Sequence, residues 1–256
     1  MEKVTSIEQG IAQYFKLSEL GEPKEYKLIK RKDGEFTDFI ELDGKKYPVF
    51  PWRSEPQTAS VANSAKNRMG DSCSFKISGA VPKDFGLDRF IYRELDVAEW
   101  TLDSKIKHLT AFVNGNAANI IVRMENGKVA VLELAASLPV GAAEQVRHTA
   151  WGTVGMASDR VVSNKIRPQG VYYYNDVVPP KGFYYKNAAA PIPATFNDDL
   201  YFMYGLNQDD TAEAVCVVQM LLGAFSGEEF LKKDEALKKY VKAVYLSAET
   251  GERVAF

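Results

Sequence analysis

The feature that most restricts the fold is a rapid succession of β-like segments in the middle of the chain. Four segments of alternating or apolar residues follow one another with short connections: 106–113, 117–124, 129–135 and 146–151. Asn126-Gly127, between the second and the third, is a strong signal for a tight hairpin turn. Closely spaced strands of this kind predict a large, mostly antiparallel sheet.

Both faces of the predicted sheet carry apolar residues. In 117–124 one side carries Ala118, Ile120, Val122 and Met124, and the other carries Ala117, Asn119, Ile121 and Arg123. An antiparallel sheet with one face in water alternates more cleanly between apolar and polar residues. We therefore expect helices on one face and a second layer or another subunit on the other.

Helical periodicity surrounds these strands. Segment 86–103 has an apolar stripe, and further helices are predicted from about 207 to 223 and from 234 to 250. The stripe of the first helix consists of Phe90, Ile91, Leu95, Ala98 and Leu102. The pattern predicts an α+β fold, a large mostly antiparallel sheet with helices gathered on one face.

The first fifty residues differ from the rest. Spacing at 7–15 predicts a short amphipathic helix, and Asp33-Gly34 between two β-like runs predicts a hairpin. After a turn at Asp43-Gly44, the prolines of 47–52 are expected to stop regular structure. We interpret residues 1–53 as an N-terminal appendage and 54–256 as the α+β domain.

Composition excludes several classes of protein. The net charge is −2 with a pI of about 5.9, so neither nucleic acid nor an anionic membrane is indicated as a partner. No signal-peptide pattern and no run of eighteen apolar residues is present, which favours a cytoplasmic protein. Cys73 and Cys216 lack metal-ligand spacing, and no metal site is predicted. Free thiols are favoured over a single long-range disulfide.

No dinucleotide-binding motif occurs in the chain. A Rossmann-type site needs Gly-x-Gly-x-x-Gly between a strand and a helix, so that the backbone can approach the pyrophosphate. The nearest candidate is 152–155 (GTVG), which leads into strand-like sequence and is interpreted as a turn between strands. We therefore expect no cofactor to be bound by this chain.

Four segments, in order, resemble the C-terminal domain of the Gfo/Idh/MocA oxidoreductases, the glucose-fructose oxidoreductase and inositol dehydrogenase family. They are 95–100 (LDVAEW), 122–130 (VRMENGKVA), 151–155 (WGTVG) and 245–254 (YLSAETGERV). The resemblance extends from about residue 54 to the C-terminus. It implies the α+β fold of that domain, which serves substrate binding and oligomerisation in the family.

The resemblance also implies what this chain would lack. Family members begin with a Rossmann domain that ends in Glu-Lys-Pro, and about fifty residues before the matching region are too few for it. The family helix carries a histidine, a proposed general acid/base, three residues before the aspartate. Arg93 stands at that position, with Asp96 as the aspartate. Because arginine keeps its proton at physiological pH, it cannot accept one from an alcohol.

Six residues are candidate ligand contacts, each with an alternative. Arg93 could bind an anionic or polyhydroxyl ligand, or pair with Glu94 or Asp96 as a helix-surface arginine. Asp96 could bond in the substrate pocket or in a structural network. Tyr172 and Tyr174 could stack on a sugar ring or lie in an interface. Trp52 and Arg53 could cover the pocket.

His108 and His148 are interpreted as hydrogen-bonded histidines of the sheet rather than metal ligands.

The favoured hypothesis is a pseudoenzyme-like domain that binds a sugar or polyol and forms a homodimer, or a larger homo-oligomer, through the open sheet face. The alternative is the substrate-domain subunit of an NAD(P)-dependent sugar dehydrogenase whose Rossmann domain comes from a partner chain, for example a full-length Gfo/Idh/MocA oxidoreductase. A reuse of the pocket for isomerisation or elimination has no nucleophile and base to support it.

Overall fold

A computed structural model of the protein describes residues 4–159, 171–175, 181–183 and 208–256. Contacts within the chain divide it into two units. Of the described residues, unit 1 contains 4–56 and 208–235, and unit 2 contains the remainder. The sequence-based domains, 1–53 and 54–256, stay a prediction, but the contacts group 208–235 with the N-terminal segment.

Unit 1 contains the predicted N-terminal helix and a small sheet. Helix α1 (Ile7–Leu17) begins at Ser6, whose side chain accepts a hydrogen bond from the Gln9 backbone. Strands β1 (Lys27–Ile29), β2 (Phe39–Leu42) and β3 (Lys45–Pro48) form a three-stranded antiparallel sheet.

Strand β3 was not predicted, because the prolines of 47–52 were expected to stop regular structure. Asp43 and Gly44 both have positive φ, 52° and 74°, which is the conformation of a type I′ hairpin turn. That turn pairs β3 with β2, and Pro48 is the last residue of this edge strand, where a missing N–H is tolerated.

Two helices complete unit 1 after a single turn of 3₁₀ helix (Pro51–Arg53). They are α4 (Gln208–Leu221) and the first part of α5 (Gly227–Thr250). Helix α5 begins at Gly227, earlier than the predicted Asp234. The Ser226 hydroxyl accepts a hydrogen bond from the Glu229 backbone, an N-terminal cap that the periodicity alone did not indicate.

Unit 2 contains a nine-stranded sheet with the order β11-β10-β9-β8-β4-β7-β6-β5-β12. All neighbouring pairs are antiparallel except β4 with β7, which are parallel. The strands are β4 (Ser72–Pro82), β5 (Ile106–Asn114), β6 (Ala117–Met124), β7 (Val129–Leu138), β8 (Gln145–Gly152), β9 (Gly155–Ser158), β10 (Val171–Asn175), β11 (Lys181–Phe183) and β12 (Val254–Ala255). The predicted α+β fold with a mostly antiparallel sheet is confirmed.

Helix α3 (Leu87–Leu102) packs its apolar stripe on strands β4, β6 and β7. All five predicted stripe residues are completely buried. The helix ends at Asp103, which has a φ of +51° in the left-handed region. Helix α2 (Pro56–Asn67) precedes β4, and the C-terminal part of α5 joins the helical face of the sheet, where the Ser247 hydroxyl accepts from the Ala111 backbone of β5.

The other face of the sheet is open in the described residues. Ala118, Ile120, Val122 and Met124 of β6 point to the helices and are buried. Strand register places Phe112, Ile121 and Trp151 on the opposite face, where 67%, 52% and 50% of their areas are exposed. Phe112 and Ile121 lie on the neighbouring strands β5 and β6, and β4 and β7 separate them from Trp151 on β8. We call these three residues and their face the open face.

Neither cysteine forms a disulfide, as expected; Cys73 is exposed and Cys216 is buried in α4. Burial raises the pKa of the Cys216 thiol to about 12, so that it stays protonated at neutral pH. Among the residues that the structure describes, no helix has both the length and the apolar character needed to cross a membrane.

Candidate functional site

Arg93 of α3, one of the candidate ligand contacts, belongs to a set of charged side chains that pack together between α3 and the sheet of unit 2. The set has two basic and three acidic members, and all lie in or beside α3, β8 and β9. We call it the charged cluster: Arg93, Glu94, Glu144, His148 and Asp159.

His148 lies at the centre of the charged cluster between two carboxylates. Its Nδ1 is 2.6 Å from Oδ2 of Asp159, and its Nε2 is 3.0 Å from Oε2 of Glu94. The backbone N–H of His148 donates to Oδ1 of Asp159 at 2.8 Å. All three side chains are buried. Two carboxylate neighbours require a proton on each ring nitrogen, so the imidazole is a cation.

The protonation of His148 follows from a balance of burial and charge. Burial alone would lower the pKa of His148, but the negative charges of Asp159 and Glu94 and their hydrogen bonds raise it to about 10. The ring therefore carries its positive charge at neutral pH and cannot accept a further proton. It therefore cannot act as a general base at neutral pH.

Arg93 is held by two carboxylates. Its Nε donates to Oε1 of Glu94 and its Nη1 donates to Oε2 of Glu144, both at 2.8 Å. The rings of Phe85 and Phe90 pack against the guanidinium, 4.9 and 5.0 Å from its central carbon. Burial alone would lower the pKa of Arg93, but the two carboxylates raise it above its ordinary value.

Glu94 connects the two cations. Burial would raise the pKa of Glu94, but the charges of Arg93 and His148 outweigh it and hold the pKa below its ordinary value. Each of its oxygens accepts from a different cation, Oε1 from Arg93 and Oε2 from His148. Glu94 is therefore ionised, and both of its carboxylate oxygens accept a hydrogen bond.

The elements of unit 2 explain why these distant residues meet. Pairing of β8 with β4 places His148 opposite Ile77, which is buried under the helices. The turn between β8 and β9 brings Asp159 back beside His148. Glu144 ends the irregular connection between β7 and β8.

The sequence predicted part of this arrangement. The interpretation of His148 as a hydrogen-bonded histidine is confirmed, and so is the pairing of Arg93 with Glu94. Arg93 is not a helix-surface arginine, however, because only 14% of its side chain is exposed. Glu144 and Asp159 were missed, since their roles depend on strand pairing that no local pattern indicates. Asp96 is fully buried on α3.

The other candidates fall elsewhere. Trp52 and Arg53 belong to unit 1, where Trp52 stacks on Phe50 at 5.2 Å and is nearly buried. The Arg53 guanidinium lies over the rings of Phe50 and Phe230. The backbone of β10 carries Tyr172 and Tyr174 next to β9, but their side chains lie outside the described residues.

The 152–155 segment does not fit a dinucleotide. It is the turn between β8 and β9, and its Thr153 and Val154 N–H groups donate to the carbonyls of Asp71 and Met69. A phosphate would need those donors. Among the described residues, no group of three or more His, Cys, Asp or Glu side chains is arranged to hold a metal ion.

Comparison with known families gives no sequence match: no family model matches the chain, and no curated protein matches it. Solved structures do match. An oxidoreductase from Sinorhizobium meliloti aligns with a TM-score of 0.63 at 12% identity, covering 81% of this chain and 64% of that one.

Two further structures contain ligands. An inositol dehydrogenase homologue from Azotobacter vinelandii, in complex with NADH and myo-inositol, aligns at 13% identity over 81% of this chain and 63% of its own, with a TM-score of 0.57. A levoglucosan dehydrogenase in complex with NADH and levoglucosan aligns at 15% identity over 80% of this chain and 65% of its own, with a TM-score of 0.58.

The chain thus spans less than two thirds of the length of the structures it matches. At these identities the likeness concerns the fold, and it agrees with the resemblance of the four sequence segments. Over about four fifths of its length, the polypeptide has the fold of these oxidoreductase structures.

Proposed function

We propose that this chain is an oxidoreductase-related domain that binds a sugar or polyol and forms homo-oligomers, without oxidising the ligand by itself. The observation that carries the proposal is the state of the charged cluster. Arg93 replaces the family histidine and is held by two carboxylates, and His148 is a buried cation. Neither side chain can accept a proton from an alcohol at neutral pH.

Ligand binding is supported by the fold and by what similar proteins hold. The inositol dehydrogenase homologue contains myo-inositol and the levoglucosan dehydrogenase contains levoglucosan. Both ligands are polyhydroxylated rings. Arg93 and Asp96 of α3 are the candidate contacts for such a ligand in unit 2, together with Tyr172 and Tyr174 of β10.

The function is tested with calorimetry on the purified chain. We expect saturable binding from at least one member of a panel of inositols, hexoses, polyols and sugar acids. We also expect no change in absorbance at 340 nm when the same panel is mixed with NAD or NADP. A chain that binds none of the panel, or one that reduces NAD by itself, would contradict the proposal.

A second candidate function is that of a substrate-domain subunit. The inositol dehydrogenase homologue and the levoglucosan dehydrogenase each hold NADH beside the sugar-like ligand, and the chain spans less than two thirds of their length. A separate chain with a Rossmann domain would then supply the nucleotide. Activity that appears only when a full-length Gfo/Idh/MocA oxidoreductase is added to the assay would favour this candidate over the first.

A further inference from the structure

We propose that four basic side chains at one corner of the open face bind the phosphate group of a small molecule. We call these residues the basic corner: Lys107 and His108 of β5, Arg123 of β6, and Arg253 directly before β12. Strands β6, β5 and β12 are the last three at this end of the sheet. The site goes beyond the proposed function, because it lies on the other side of the sheet from α3 and does not require a sugar.

A β-bulge gathers three members of the basic corner. The register of β5 with β6 skips Lys107, so that His108 pairs with Arg123. The residues on either side of the bulge, Ile106 and Leu109, are both buried under the helices. A bulge interrupts the alternation of side chains, so the two residues between these buried neighbours both point away from the helices. Lys107 and His108 therefore share the open face with Arg123.

Arg253 reaches the same corner from the C-terminal segment. Pairing of β12 with β5 places Val254 beside Leu109 and Ala255 beside His108. Because Leu109 faces the helices, Val254 faces them too, and the alternation of side chains puts Arg253 on the open face. Arg253 is also close enough to His108 for its charge to act on that ring.

The charges of the basic corner are not neutralised by any side chain that the structure describes. Lys107, Arg123 and Arg253 are exposed, and none of the four members forms an ion pair with a described carboxylate. Burial lowers the pKa of His108, and the positive charges of its three basic neighbours lower it further. A nearby carboxylate would have the opposite effect on this pKa.

Neither composition nor folding explains this accumulation of positive charge. The chain has 34 acidic residues against 32 lysines and arginines, so the four cations do not follow from a basic sequence. Like charges that face each other on neighbouring strands destabilise a sheet, and protonated His108 faces Arg123. An arrangement that costs stability and leaves its donors in water is suited to binding an anion.

A phosphate group fits the donors of the basic corner. Two guanidinium groups, an ammonium group and an imidazole can each donate to a different phosphate oxygen, and such charge-assisted hydrogen bonds are strong. Two negative charges on the ligand turn the mutual repulsion of the cations into attraction. The side chains project from an open sheet, so the ligand can reach them from solvent without an enclosed cavity.

NMR of the His108 ring tests the site directly, because that ring is one of its members. Sodium phosphate, glucose 6-phosphate or glucose is added to the full ¹⁵N-labelled chain at constant ionic strength, with sodium chloride as the reference. We expect saturable shifts of the His108 signals with the two phosphates and none with glucose. Sulfate, which stays divalent across the titration, should raise the pKa of His108 relative to chloride, because a bound anion favours the charged ring.

Arg123→Gln should weaken phosphate binding about tenfold, because it removes a charged donor. In the absence of ligand it should also raise the pKa of His108 toward its ordinary value, because one positive neighbour is lost. The side chain of Arg123 is exposed, so the variant is expected to fold, and the His108 signals report whether it does.

Lys242→Gln is the matched control, because it removes one positive charge from an exposed position of unit 2 on α5. It should change neither the affinity for phosphate nor the pKa of His108. His108 signals that do not respond to phosphate overturn the inference, and so does an Arg123→Gln chain that binds phosphate as tightly as the wild type. Equal weakening by Lys242→Gln would show that only net charge is being measured. None of these results bears on sugar binding, so the proposed function stands or fails separately.

Discussion

At the scale of single residues, the chemistry of this domain depends on how charge is distributed in the charged cluster. Two cations and three carboxylates pack together between α3 and the sheet. Glu94 accepts hydrogen bonds from Arg93 and His148, and Asp159 accepts from the ring and the backbone N–H of His148. Such a network holds His148 in its charged form. A side chain type that often acts as a base is thereby converted into a structural cation.

This arrangement makes folding stability depend on pH. The pKa of His148 rises from 6.5 in the unfolded chain to about 10 in the folded one. Its stabilisation is therefore complete below about pH 6.5 and is lost as the pH rises through 10. In urea unfolding, we expect the free energy of unfolding to fall by up to about 1.4 kcal/mol per pH unit between pH 7 and 9.5.

The variant His148→Gln supplies the comparison, since it cannot titrate and should lose this slope. Asp159→Asn should instead move the decline in stability to lower pH, because it removes one of the two negative charges, those of Asp159 and Glu94, that raise the pKa of His148. Identical slopes for the wild type and His148→Gln would show that the imidazole is not the titrating group.

At the scale of helices and strands, the elements that could be predicted are mostly those with a local sequence pattern. Asn126-Gly127 forms the turn between β6 and β7 as expected, and the stripe of α3 packs on the sheet. Strand β3 was missed because the prolines of 47–52 were expected to stop regular structure, although Pro48 is tolerated at the end of an edge strand. The first turns of α5 were missed because a cap at Ser226, rather than periodicity, defines where the helix begins.

The candidate site was less predictable for a physical reason. The contact of Arg93 with Glu94 joins neighbours in sequence. The contact of His148 with Glu94 joins residues 54 positions apart, and that of Arg93 with Glu144 joins residues 51 positions apart. Those long-range contacts require the pairing of β8 with β4. The parallel pairing of β4 with β7 also had no signal in the sequence.

At the scale of the whole molecule, the open face is the feature that most favours self-association. Phe112, Ile121 and Trp151 are at least half exposed on one side of the sheet. Exposed apolar side chains that form a contiguous patch are typical of interaction surfaces, and Phe112 and Ile121 lie on neighbouring strands. A homodimer that pairs two open faces would remove them from water.

Light scattering after size exclusion tests this association. We expect wild-type chain at micromolar concentration to run as a dimer or larger, and Ile121→Lys to shift it to monomer, because a buried lysine at the interface would be unpaired. Leu246→Lys is the matched control: Leu246 is 50% exposed but lies on α5, and the change should leave the assembly intact. A monomeric wild-type protein would exclude the open face as an interface.

The central claim, that neither Arg93 nor His148 can act as a base at neutral pH, is tested at His148 by ¹⁵N NMR of the two imidazoles. The chain contains only His108 and His148, so a single His108→Gln variant assigns both. We predict two protonated nitrogens on His148 from pH 6 to 9, with titration near pH 10. Desolvation and the positive charges of Arg253, Arg123 and Lys107 should lower the pKa of His108 below its ordinary value. A neutral His148 ring at pH 7 would contradict the account.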